Sequence, residues 1–348
     1  MTTRHAALLA FLRKAGPARL LRLADDEISR ARERREPAGR TLNLALQGGG
    51  ALGAFTWGVL DRLQEEASVT IGAMSGASAG ALNAAVYVTG LVNGGKDGAA
   101  RALKAFWTEV SNAAALANLI FAPIMLGARR DAWQHAFRET AHFAKNPLQD
   151  LLPRHIDLDA LRAPTAPRLF IAATNVLTAR ARIFTNEEIT FDTLLASACI
   201  PTLHPTVLID GIPYWDGGFS ANPPVAPLLR TGAERTLLVR LLRSQSDTAP
   251  RDAQEIDTHL KTLLFSRPLE DELARIALSD PVGLGTLSEI DANQSALSAR
   301  LTSHPTPHIV QSLFDQGRAA AQAYFAPERD AADVPAAADI PSPRRAVT

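Results

Sequence analysis

The chain has 348 residues, 47% of them hydrophobic, and 36 Lys and Arg balance 36 Asp and Glu. That length can bury a large core in one α/β domain with additions or in two smaller domains. A zero net charge argues against a nucleic-acid partner, which calls for a basic footprint. The single cysteine, Cys199, rules out an intramolecular disulfide and fits a reducing, cytoplasmic setting.

Residues 1–40 carry ten Arg and Lys against five Asp and Glu, with leucines between the charges. Two readings stand side by side. One is a basic amphipathic helix that makes peripheral contact with anionic membrane. The other is a solvated helix and linker, its face broken at Gly16-Pro17. The apolar stretch 6–12 is cut by Arg13-Lys14 and does not read as a secretory signal. The stretch 113–128 holds Asn118 and Pro123, short of the roughly 18 clean residues of a membrane span.

From residue 41 the pattern becomes regular. Residues 42–46 read as a buried strand, 51–66 as a helix, 69–74 as a strand and 78–88 as a small-residue helix. This β-turn-α, β-turn-α order predicts a mostly parallel sheet with helices on both faces. Helices are expected at 104–110 and 130–143. Between them the apolar piece 120–127 reads either as a cap over the site or as core. Strands follow at 168–175 and 181–185, then a helix at 191–198. Residues 206–209 and 212–215 flank Asp210-Gly211, a hairpin signal. A strand at 236–242 closes the domain, which runs over 41–245. Helices at 254–265, 269–278 and 309–324 make 246–325 a helical C-terminal extension. The Ala/Pro/Asp-rich tail from 326 reads as disordered.

Three motifs carry chemistry. Gly48-Gly49-Gly50-Ala51-Leu52-Gly53 lies between a strand and a helix. It fits either a dinucleotide pyrophosphate loop or a set of backbone N–H groups that stabilise an oxyanion. The second strand ends without the acid that a ribose needs, and no Lys follows the last glycine as in a P-loop. Gly76-Ala77-Ser78-Ala79-Gly80 sits at a strand-to-helix turn and has the G-x-S-x-G form of a nucleophile elbow. Trp215-Asp216-Gly217-Gly218 follows the hairpin, at a strand end.

A serine needs a base to attack an ester near neutral pH. None of the eight histidines has a recognisable catalytic setting. His204 reads as a pocket or loop residue. His304 is the candidate third member if the site is an α/β-hydrolase triad.

In this order and spacing the motifs resemble the patatin-like phospholipase family. Ala196-Ser197-Ala198-Cys199-Ile200-Pro201 is similar to the family's Ala-Ser-x-x-x-Pro block. Asp216 to Pro223 follows its D-G-G-x-x-x-N-P form. The resemblance covers about 42–242, and the C-terminal segment looks like the helical extension of a bacterial subgroup. It implies a three-layer α/β/α fold and a Ser78–Asp216 dyad, with the oxyanion held in the 48–53 loop. It also implies no metal and no cofactor. The substrate would be a phospholipid, lysophospholipid or acylglycerol. An intracellular polyester and a silent scaffold that binds membrane or a partner are the alternatives. Apolar residues near 120–126 and 202–207 are candidates for an acyl channel.

Overall fold

The computed structural model describes residues 40–125, 146–201, 203–244, 249–292 and 306–326. The expected N-terminal helix, the helix at 130–143, His304 and the tail from 327 lie outside these residues.

The chain opens with β1 (Arg40–Leu46), a 3-10 turn at Gly50–Leu52 and α1 (Gly53–Leu63). Then come β2 (Val69–Gly76) and α2 (Ala79–Met125), which is broken at Gly94 and Gly95. The short helices α3 (Leu148–His155) and α4 (Leu158–Arg162) lead to β3 (Arg168–Asn175) and β4 (Arg180–Phe184). The helix α5 (Phe191–Ser197) starts at a capping box between Thr190 and Thr193. The strands β5 (Val207–Ile209) and β6 (Ile212–Asp216) form the expected hairpin. Asp210 and Gly211 both have positive φ, 52° and 77°, as its tight turn requires. A 3-10 turn at Gly217–Phe219, α6 (Ala226–Leu229) and β7 (Arg235–Arg240) follow.

The C-terminal part differs from a purely helical reading. The helix α7 (Ala253–Ser279) runs through Pro268 as one element, where sequence suggested two. After α8 (Pro281–Leu284) comes β8 (Leu287–Asp291), an unexpected strand, and then α9 (Pro307–Phe325).

The eight strands form one sheet with hydrogen-bonded order β5-β6-β3-β2-β1-β7-β8, and β4 also pairs β3. The run β3-β2-β1-β7-β8 is parallel, whereas β4, β5 and β6 join antiparallel. Side chains alternate between two cores, as strand geometry dictates. Leu42, Leu44, Leu46, Leu237 and Val239 pack with Val59 and Leu60 of α1 and Leu313 of α9. Ala45, Ala73 and Leu238 face the other way, onto Leu228 of α6 and Leu269 and Ile276 of α7. This is a three-layer α/β/α fold. No described helix is long and apolar enough to cross a membrane.

The helices α1 and α9 touch backbone to backbone. A Cβ at Gly58 would lie 2.0 Å from the Phe314 carbonyl, and one at Gly317 would lie 2.0 Å from that of Phe55. Beside this crossing Trp57 and Phe314 stack at 4.1 Å, and Arg318 pairs with Asp61 and Glu65.

Candidate active site

Sheet topology builds the site. Ile171 of β3 pairs with Gly76 on one side and Phe184 on the other; Ala173 pairs with Asp216 and Arg182. Because β4 lies on one edge at both Ile171 and Ala173, β2 and β6 must share the opposite edge. They run toward each other, and their last residues, Gly76 and Asp216, are two positions apart along β3. A parallel strand and a hairpin strand thus deliver the serine turn and the carboxylate to one point, outside the carboxyl ends of the parallel strands, where α/β sheets place their sites.

Ser78 occupies the turn between β2 and α2 with φ 52°, the left-handed region that a side chain rarely adopts. Its N–H donates to the Ser197 carbonyl at 3.0 Å and to Ser197 Oγ at 3.1 Å, so the end of α5 holds the turn. Gly80 lets the turn close on β1, since a Cβ there would lie 2.1 Å from the Leu46 carbonyl. Ser78 thus stands at a sharp strand-to-helix turn.

Asp216 is fully buried. Its N–H donates to the Cys199 carbonyl at 2.8 Å, and its carbonyl accepts from Thr174 Oγ1 at 2.7 Å. Carboxylate Oδ1 accepts the Gly218 N–H at 2.8 Å. Oδ2 has no hydrogen-bond partner among the described residues. The Ser78 hydroxyl is near enough to favour the charged carboxylate but does not complete a hydrogen bond to it. Burial dominates and pushes the carboxyl up to about 7, against the opposing pull of the Gly218 N–H and the Ser78 hydroxyl.

The glycine loop divides into used and unused donors. The Gly48 N–H goes to Asn222 Oδ1, that of Leu52 to Gly49, and that of Gly53 to Gly50 and Ala51. The N–H groups of Gly49, Gly50 and Ala51 have no acceptor among the described residues.

Two other groups are set aside by their surroundings. Burial holds the His204 imidazole toward its neutral form, and it hydrogen-bonds neither Ser78 nor Asp216. The Cys199 thiol is pushed up to about 11 by burial and then by the charge of Asp216. A thiol so placed stays protonated and inert.

The structure brings together Ser78, Asp216, the 48–53 loop, Gly76, Ala77, Ala79, Gly80, Gly217 and Gly218. Sequence reasoning placed Ser197 and Asn222 in motif blocks without giving them a role, and it did not single out Asn83 or Trp107. Asn83 carries a visible signal, being a polar side chain in a helix start otherwise made of small and apolar residues.

A serine in a left-handed strand-to-helix turn thus stands beside a buried carboxylate on a mostly parallel sheet. A family model described as patatin-like phospholipase matches residues 44–229, more than half of the chain, and the chain belongs to that family. Among solved structures it is similar to VipD from Legionella pneumophila, at 13% identity and TM-score 0.44, over 82% of this chain and 66% of that one. It is also similar to the type III effector protein ExoU, at 17% identity and TM-score 0.34, over 83% and 53%. ExoU in complex with SpcU, from Pseudomonas aeruginosa, matches at 16% identity and TM-score 0.31, over 84% and 54%. The chain thus spans between about half and two thirds of those chains. No curated protein matches it.

Proposed function

We propose that the chain is a serine acyl hydrolase that cleaves carboxylic esters of phospholipids, lysophospholipids or acylglycerols. The observation that carries this reading is the state of Asp216: a buried carboxyl raised to about 7, with a vacant oxygen beside the Ser78 hydroxyl. A base matched to neutral pH is what proton transfer from serine needs.

In the first half-reaction Ser78 Oγ bonds to the ester carbonyl carbon and its proton passes to Asp216 Oδ2. The carbonyl electrons move onto oxygen, facing the free N–H groups of Gly49, Gly50 and Ala51. The tetrahedral intermediate collapses and breaks the C–O bond to the alcohol, which takes the proton back from Asp216. In the second half-reaction water attacks the acyl-serine, gives its proton to Asp216, and releases the fatty acid as Ser78 recovers its hydrogen. Contact with lipid through the basic segment 1–40, and a cytoplasmic location, are part of the same proposal and rest on sequence alone.

The test is a hydrolysis screen of lipid classes with wild type, Ser78→Ala and Asp216→Asn. Ester cleavage by wild type alone supports the reading. Turnover on a polyester but no lipid would reassign the substrate. No fluorophosphonate adduct at Ser78 of the folded protein would point to a silent scaffold.

A further inference from the structure

An oxyanion loop built largely of glycine has few side chains to hold its direction, so its anchoring must come from elsewhere. Both of its ends are gripped by fully buried asparagines. At the start, Asn222 Oδ1 accepts the Gly48 N–H at 2.7 Å. Asn222 Nδ2 donates to the Gly48 carbonyl at 3.3 Å and to the Phe265 carbonyl of α7 at 2.8 Å. At the far end, Asn83 Nδ2 donates to the Gly53 carbonyl at 3.0 Å, and Asn83 Oδ1 accepts from Trp107 Nε1 at 2.9 Å.

Three features separate these contacts from ordinary core hydrogen bonding. Between the two grips lie the only loop N–H groups without a described acceptor, Gly49 to Ala51. The gripped Gly48 lies directly against the nucleophile, since a Cβ on it would be 2.7 Å from Ser78 Cβ. Each asparagine is also aimed by a partner remote in sequence, Trp107 in one case and the Phe265 carbonyl in the other. Phe265 in addition packs its ring on Gly218, whose N–H holds Asp216. That residue lies beyond 229, where the family match ends.

We propose that Asn222 and Asn83 are positioning residues that fix the height and tilt of the loop N–H groups over Ser78, with α7 taking part through Phe265. The inference rests on the serine hydrolase reading. It assigns to each asparagine an effect on the transition state and none on substrate affinity, because both side chains are fully buried.

The experiment compares wild type, Ser78→Ala, Asn83→Ala, Asn222→Ala, the double variant and Trp107→Phe. It reads kcat and KM on the ester and the rate of fluorophosphonate labelling of Ser78. Each single asparagine variant is expected to lose about 10²-fold in kcat with KM little changed. The double variant should lose less than the product of the two, because both act on one loop. The acid limb of the pH profile should keep its midpoint, because Asp216 is untouched. Trp107→Phe keeps an aromatic ring in the core, removes the donor to Asn83 and trims the ring that lies against Gly53. It should lose about tenfold in kcat, and it decides the matter if either alanine variant does not fold.

Wild-type kcat in folded variants, or a loss borne by KM, would overturn the inference. Labelling needs no lipid and separates the two layers of the proposal. Equal labelling rates in all variants except Ser78→Ala remove the positioning role and leave the dyad standing. Absence of labelling in wild type removes both.

Discussion

Gly76 and Asp216 meet end to end along one edge of β3, paired to Ile171 and Ala173. The Ser78 turn begins where β2 stops, and the Asp216 carboxylate stands where β6 stops. A single strand is thus the ruler for both groups, and the proposed dyad would be as rigid as the sheet. This makes the consequences of changing either member sharp.

Ser78→Ala and Asp216→Asn are each expected to lower kcat by at least about 10⁴-fold while the fold persists. Steady-state kinetics alongside circular dichroism would check this. Near-wild-type turnover by Asp216→Asn would end the base assignment.

The rate should follow the charge on Asp216. With the carboxyl at about 7, kcat/KM rises through neutrality and falls about tenfold per pH unit on the acid side. A profile flat from pH 5 to 8 would contradict this.

The same carboxyl links stability to pH in the opposite sense. Folding raises it from an ordinary 3.8 to about 7, so the folded chain binds this proton more tightly than the unfolded chain. Its stabilising effect is full below about pH 4 and is lost as pH climbs to 7. Above that, burying the charge is a standing cost. Asp216→Asn should therefore melt several degrees above wild type at pH 8 and close to it at pH 5. Melting curves at the two pH values test the sign.

Cys199 should resist alkylation. Its thiol is buried and held near 11, so iodoacetamide at pH 7.5 should leave it unmodified and activity intact. Denaturant should expose it to full modification, which mass spectrometry would read.

The α1–α9 crossing should tolerate no side chain. Gly317→Val would drive a branched group into the Phe55 carbonyl and should cost about 3 kcal/mol or more, by analogy with overpacked cores. Denaturant titration measures it, and an unchanged midpoint would contradict the packing.

Local signals made most of the site legible before any coordinates. The glycine loop, the elbow and the Asp210-Gly211 hairpin are set by turn chemistry within a few residues, so they read directly. The β1-α1-β2-α2 unit read well because its apolar periodicity is strong. Strand β8 did not, since Leu287–Asp291 is half polar and becomes a strand only by pairing with β7. Pro268 looked like a helix boundary, yet α7 passes through it because Leu269 and Ile276 on its far side pack into the core under the sheet. Asn83 and Asn222 lie 139 positions apart in the chain. Their convergence on one loop is a fact of tertiary structure, and no reading of neighbours in sequence could supply it.

The crossing of α1 and α9 also bears on how the protein is made. A ribosome releases the glycine loop and the elbow long before it reaches Gly317. Until α9 emerges, Gly58 and the face of α1 that meets α9 are uncovered, although Val59 and Leu60 already pack on the sheet. The nascent chain therefore carries the Ser78 turn before the α9 side of that crossing exists.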